Sequence, residues 1–336
     1  MTAGLWIGLF LTLVAGLLSG NCMLPMKFAK RWPWENIWLV FSGVSMLVLP
    51  WGLALIFIPN VRTVYSALPI SAFMAPLLFG MGWGIAQVLF GLSISRLGLA
   101  LGYAIIVGLG ALLGTFVPLL VKTPEIIGTS RGTVILSGVA VMVFGITVSA
   151  CAGMQRESFS RVDRKSNYAF ALLVAILCGL MAPMLNYAFA FGQSIAQEAM
   201  RRGASPKAAG YAIWPIALLG GFIPNLLYCL ALLSQNGTWK CFRGGWLPDA
   251  WYGCLMGALW MGAFAVYGVS AVYLGTLGAS LGWALFQIFM IITANLSGIL
   301  TGEWEKASVH ARSGLWAGLV LLAIATGMIA SANRQV

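Results

Sequence analysis

Seven carboxamide side chains, Asn21, Gln87, Asn186, Gln193, Asn225, Gln287 and Asn295, lie well inside stretches of sequence that carry no charge. A carboxamide in apolar surroundings is costly unless it is paired, so each of these either ties two helices together or lines a wet cavity. Together with tryptophan and tyrosine, and with no fixed charge among them, such groups suit a neutral polyhydroxyl ligand. An amino acid or a phosphate ester would demand a counter-charge. Trp83 and Trp260 are aromatic candidates: at matched depth they would stack on the C–H face of a sugar or fill core volume.

Groups able to move a proton stand near the ends of the same stretches. Lys27 lies in "NCMLPMK", Glu198 ends "GQSIAQE" and Glu303 lies in "SGILTGEW". Each is a coupling group or an end-charge snorkelling to the interface. Catalysis is a poor fit. The only histidine is His310, so neither a histidine-based triad nor a histidine-ligated metal pair can be assembled. No GxxxxGK phosphate loop is present, and no two acids sit inside the uncharged stretches. The chain reads as a non-enzyme that calls for no metal or cofactor. The six cysteines have no metal-type spacing, and only Cys229 and Cys241 are near enough in sequence for a bridge, or are two buried thiols.

Such residues need elements to position them, and composition says which. Of 336 residues 60% are hydrophobic and 8% charged, too few polar groups to cover a soluble globule of this size. The surrounding solvent is therefore a lipid bilayer. Nine uncharged runs separate the charges, and the longest, residues 250–302, exceeds one span and breaks at the glycine-rich "YLGTLGASLG", so ten helices are expected. The first run has no basic residue before it and nine spans after it, which makes it a span and not a cleaved signal. Strands of a barrel would alternate polar and apolar residues, and these runs do not. The net charge of +11 is scattered over loops, as membrane topology and anionic lipid require, so no nucleic-acid partner is expected.

An internal repeat orders the ten helices. "FGMGWGIAQVLFGLSISRLG" (79–98) returns as "MGALWMGAFAVYGVSAVYLG" (256–275) at a shift of 177, matching Gly80/Gly257, Trp83/Trp260, Ala86/Ala263, Gly91/Gly268, Ser93/Ser270, Leu97/Leu274 and Gly98/Gly275. The two segments are helices three and eight. Their glycines are expected to let the following helix approach closely. Five helices on each side of the polar segment "QRESFSRVDRKSN" give odd-numbered halves, and odd-numbered copies must lie inverted in the membrane. The expected architecture is an all-α membrane protein of ten transmembrane helices as two inverted five-helix repeats, 1–155 and 167–336, joined by a loop at 156–166. Inverted repeats mark secondary transporters, with a substrate site near the midplane between the repeats. An N-terminus inside leaves seven Lys and Arg residues on that side and twelve opposite, so the positive-inside rule favours both ends outside.

Three segments, "LPMKFAKRWPWENIW" (24–38), "FGMGWGIAQVLFGLSISRLG" and "GEW" (302–304), resemble the L-rhamnose–proton symporter family, a branch of the drug/metabolite transporter superfamily. The likeness runs along nearly the whole chain. It implies a proton-driven importer of a 6-deoxyhexose in a bacterial plasma (inner) membrane, with both termini cytoplasmic, opposite to the charge count. The family pattern implies a lysine at Lys27, glutamates at Glu35, Glu198 and Glu303, and an amide at Gln87. Helices eight and nine depart from it at "GAFAVYG" and "ALFQIFM", which leaves the sugar open between L-rhamnose and a relative such as L-fucose. On this likeness Asn21, Gln87, Asn186 and Gln287 would bind hydroxyls, and Trp83, Trp260 and Trp283 would cover the apolar face. Proton coupling would fall to Glu198, Lys27 or Glu303. The protein would work as a monomer in the lipid bilayer. An exporter of drugs or metabolites with the same fold is the alternative.

Overall fold

A chain crossing hydrocarbon must satisfy its own peptide groups, and helices do so within one segment. The computed structural model describes residues 2–97, 99–157, 168–243 and 247–332. Ten of its helices are long and apolar enough to cross a membrane: Gly4–Phe28, Trp34–Phe57, Ser71–Ile94, Leu101–Lys122, Ser130–Arg156, Ala169–Arg201, Trp214–Asn236, Leu247–Leu277, Leu281–Leu300 and Val309–Ala332, here spans 1 to 10. No strand occurs among the described residues, so the protein is all-α. The long run at 250–302 divides at its glycine-rich break, between Leu277 and Leu281. Of the expected loop at 156–166, residues 156 and 157 still belong to the helix Ser130–Glu157. The remainder, with Arg161, Arg164 and Lys165, lies outside the described residues, as do Gly98 and Arg334.

Four spans depart from continuous α-helix, span 8 only by its terminal 3-10 turn Gly275–Leu277. Span 1 passes from α-helix at Asn21 to a 3-10 turn, Leu24–Phe28, that contains Pro25. Span 2 carries a π-turn, Val44–Val48, just ahead of Pro50, whose missing N–H loosens the preceding turn. Span 6 is divided into Tyr168–Met181, Met184–Phe191 and Gln193–Arg201. Its breaks fall at Pro183, which withholds an N–H, and at Gly192.

The chain forms two compact units. The first comprises Met1–Gly20, Leu89–Pro183 and Ser270–Val336, the second Asn21–Val88 and Met184–Val269. Both sequence halves thus contribute to both units, and each half changes unit twice: at 20/21 and 88/89 in the first, at 183/184 and 269/270 in the second.

Within the first unit, Gly145 of span 5 and Gly318 of span 10 abut so closely that a Cβ on either would press on the other's carbonyl oxygen, at 3.2 and 3.0 Å. Gly16 and Gly20 of span 1 lie against Phe289, Met290 and Thr293 of span 9, and Gly179 of span 6 lies against Ile105 and Leu109 of span 4. Within the second unit, Gly80 of span 3 sits on the Ala217 carbonyl of span 7, and Gly84 on Gly221. Gly253 and Gly257 of span 8 sit on Ile37, Val40, Phe41 and Val44 of span 2. The repeated glycines Gly80 and Gly257 therefore do serve close packing, but against a helix of the other half and not the following helix. Helix faces in lipid are drawn together by contact alone, so the tightest faces choose the neighbours.

Gly80→Val drives a side chain into the span 7 backbone and is expected to abolish most monodisperse protein on size-exclusion chromatography. Gly91, with nothing within 4 Å of an added Cβ, is the contrast: Gly91→Ala is expected to leave the thermal midpoint unchanged or raised, as a helix gains up to about 1 kcal/mol from that exchange.

Candidate functional site

Backbone contact between spans 3 and 7 opens the slot that Trp83 fills. An added Cβ at Gly221 would come within 3.0 Å of the Trp83 ring. The ring lies stacked on Trp260, centroids 5.2 Å apart and planes at 26°, and both tryptophans are buried. Trp260 touches Phe264 at 4.5 Å and meets Phe41 edge-on at 6.2 Å. Trp214 stacks on Phe189 at 5.2 Å and meets Phe264 edge-on. The two repeat-related tryptophans are thus brought together within the second unit, at the centre of an aromatic cluster. Aromatic pairs of this kind add about 0.5–1.5 kcal/mol each beyond their buried area.

The amides sort into those the fold uses and those it leaves. Asn225 accepts from Trp38 Nε1 at 3.0 Å and donates to the Gly221 carbonyl at 2.9 Å, tying span 2 to span 7. Asn186 accepts from the Tyr267 hydroxyl at 2.7 Å, tying span 6 to span 8. Gln193 donates across the break at Gly192 to the Phe189 carbonyl, and Asn295 to the Ile291 carbonyl one turn back on its own helix, both at 2.9 Å. Asn21 is half-buried at the end of the first helix. Gln87, half-buried one turn beyond Trp83, makes no side-chain hydrogen bond among the described residues.

The first unit repeats this local arrangement. Trp283 is buried, its ring lies against Gly114, and its Nε1 donates to the Gly110 carbonyl at 3.1 Å. One turn beyond it Gln287, only 7% exposed, makes no side-chain hydrogen bond among the described residues.

The ionisable candidates stand at the edges. Lys27 is exposed on the 3-10 turn that ends span 1. Glu198 is gripped by its own helix, with Arg202 Nε at 2.7 Å and Arg201 Nη1 at 3.5 Å. Glu303 pairs across spans with Arg156 Nη1 at 3.3 Å, and the Arg156 guanidinium lies 4.8 Å over the Trp304 ring.

Two buried carboxylates lay outside the proton-coupling candidates: Glu35, which the family pattern marks as a glutamate, and Asp249, which no motif in the sequence singled out. Glu35 accepts from Asn236 Nδ2 at 3.0 Å and Thr238 Oγ1 at 2.9 Å. Asp249 accepts the backbone N–H groups of Lys30, Arg31 and Trp32 at 3.3, 2.8 and 2.8 Å, and so clamps the loop between spans 1 and 2 onto the start of span 8. Their sequence signal is an acid in the first turn of a helix, where the helix dipole favours it. Cys229 and Cys241 are free thiols.

These features define a multi-pass helical membrane protein with neutral hydrogen-bonding groups and stacked tryptophans in its interior. The family model described as L-rhamnose-proton symport protein (RhaT) matches residues 1–333, and the chain belongs to that family. It is 24% identical over 338 residues to the L-rhamnose-proton symporters of Mannheimia succiniciproducens, Citrobacter koseri and Escherichia coli, with 98% of this chain and 98% of each relative covered. Ten spans and bacterial symporter relatives make it a multi-pass protein of the bacterial inner membrane.

Tyr267→Phe keeps the aromatic packing but removes the donor to Asn186. The loss is expected to cost about 1–3 kcal/mol, read as a lower thermal midpoint of the purified protein. Adding Asn186→Leu is expected to recover part of it, because the stranded acceptor is then gone.

Proposed function

We propose that this chain is a secondary active transporter that imports L-rhamnose, or a related 6-deoxyhexose such as L-fucose, together with a proton, by alternating access. The observation that carries this reading is the pair of Trp–Gln couples, Trp83 with Gln87 and Trp283 with Gln287, one in each compact unit, whose amides no side-chain hydrogen bond engages among the described residues. A 6-deoxyhexose has an apolar face with a methyl group and a rim of hydroxyls. An indole face and an amide one helical turn away suit the two in turn. Trp260 extends the stacking surface of Trp83, and Asn21 joins the hydroxyl-binding set, whereas Asn186 is engaged by Tyr267 and serves the fold in this reading. The names of the relatives agree with this substrate class.

Alternating access draws support from the way helix pairings recur. Span 1 packs on span 9 as span 6 packs on span 4, and span 3 packs on span 7 as span 8 packs on span 2. Exchanging the halves 1–155 and 167–336 turns each pairing into its counterpart, as inverted five-helix repeats require. The breaks in spans 2 and 6 supply points where a helix can bend. In this reading the transporter works as a monomer.

A neutral sugar gathers against its gradient only if some group titrates during the cycle. Glu198, Lys27 and Glu303 are the candidates. Glu198 is held by two arginines of its own helix, whereas Glu303 is held by an arginine of another span, so protonating Glu303 frees one element from another.

Uptake of labelled L-rhamnose into proteoliposomes under an imposed inward proton gradient tests the whole reading. Accumulation abolished by a protonophore, and competed by L-fucose more than by D-glucose, is the expected result. No uptake under a verified gradient sinks the sugar assignment and favours metabolite export.

Gln87→Ala and Gln287→Ala are each expected to raise the half-saturating sugar concentration roughly 3- to 10-fold, the worth of one net hydrogen bond. A variant with wild-type affinity and rate removes that residue from the site. Among Glu198→Gln, Lys27→Met and Glu303→Gln, the proton carrier is the position whose variant loses gradient-driven accumulation yet keeps sugar counterflow, and Glu303→Gln is the expected one.

A further inference from the structure

Between spans 7 and 8 the chain turns at Gly237, with φ +64°, into the 3-10 helix Thr238–Arg243. A 3-10 helix has three residues per turn, so residues three apart stand one above the other. The sequence "TWKCFR" therefore raises two columns side by side: Trp239 with Phe242, and Lys240 with Arg243. The aromatic pair is in contact at 6.4 Å between centroids. All four residues, with Gly237, line an open cavity of about 450 Å3.

The corner is braced from within the second unit. Trp239 Nε1 donates to Ser234 Oγ at 3.3 Å, Trp32 Nε1 donates to the Cys241 carbonyl at 3.0 Å, and Trp32 meets Phe242 edge-on at 5.0 Å. Lys240 and Arg243 are exposed, and neither makes a side-chain hydrogen bond or ion pair among the described residues. The acids of this region do not answer them. Glu35 and Asp249 are buried; Glu35 Oε1 and both Asp249 oxygens accept the hydrogen bonds described above, and neither carboxylate forms an ion pair with Lys240 or Arg243. Lys30 and Arg31, on the loop that Asp249 clamps, are also exposed and add to the positive field.

Depth in the bilayer narrows what such a corner can hold. Trp34, Trp239 and Trp251 are exposed at the ends of spans 2, 7 and 8, the arrangement of an interfacial aromatic belt. A lysine point charge beside an arginine fork suits phosphate oxygens, and a neighbouring aromatic column suits the glycerol and first methylenes. We propose that Trp239, Lys240, Phe242 and Arg243 form a seat for the headgroup of an anionic phospholipid, phosphate against the two cations and glycerol backbone against the two rings.

Native mass spectrometry of the full-length protein, delipidated and then titrated with phosphatidylglycerol or phosphatidylcholine, tests this. Wild type is expected to retain phosphatidylglycerol in preference, and the double variant Lys240→Gln/Arg243→Gln to lose that preference by roughly 10- to 30-fold, the worth of two basic groups at an anionic surface. The control pair Arg62→Gln/Lys122→Gln removes the same charge elsewhere and is expected to keep the preference. Equal loss in both pairs, or no preference in wild type, overturns the proposal. Displacement of the lipid by millimolar inorganic phosphate also overturns it, by making the ligand a soluble anion. Trp239→Ala with both cations intact is expected to weaken retention of phosphatidylglycerol; unchanged retention overturns the lipid seat, since a bare anion site has no use for the ring.

Discussion

Close approach of helix backbones is the constraint on which the rest of the molecule depends. Lipid tails are as apolar as leucine, so burying a helix face against another helix gains little from the hydrophobic effect. What remains is contact, which grows as side chains shrink. Gly80 on Ala217, Gly84 on Gly221 and Gly145 on Gly318 bring main chains together where any larger residue would part them. The same glycines shape the interior. The slot at Gly221 receives the ring of Trp83, and that at Gly114 receives Trp283, whose N–H then finds the Gly110 carbonyl. The positions of Trp83 and Trp283 follow from glycines on neighbouring helices.

Polar groups inside such a bundle differ in how fully their hydrogen bonds are committed to the fold. Asn225, held between Trp38 and the span 7 backbone, has no capacity to spare for a passing sugar without loosening span 2. Gln87 and Gln287 pay nothing to the fold that a hydroxyl would have to replace. The buried carboxylates fall on the committed side. Asp249 collects three backbone N–H groups of one loop, so its charge is spent on holding that loop.

The spans were legible because charge is expensive in hydrocarbon and leaves long uncharged runs, although Glu35, Glu198 and Asp249 lie near the ends of spans 2, 6 and 8. The split of residues 250–302 was legible too, since Gly275, Gly278 and Gly282 crowd three poor helix formers into "GTLGASLG". The interruption of span 6 was not. Pro183 breaks its helix, whereas Pro76, Pro118 and Pro224 sit inside unbroken ones, because neighbouring helices decide whether the freed carbonyl can be satisfied. Nor was the partner of Gly80 legible: spacing along a helix identifies a face, and only three-dimensional packing says which helix covers it. For the same reason seven interior amides looked alike in sequence, and the pairing of Asn186 with Tyr267, 81 positions away, separates them only in space.

Interleaving of the two halves bears on how the protein is made. Span 3 meets its tightest neighbour only when span 7 has been synthesised, and span 5 waits for span 10, the last to emerge. Until then the first five helices lie in the bilayer with their glycine faces turned to lipid or to provisional partners. Neither compact unit can be completed from the N-terminal half alone. Assembly is therefore a late event that follows insertion, and the close backbone contacts that define the finished molecule are the last to form.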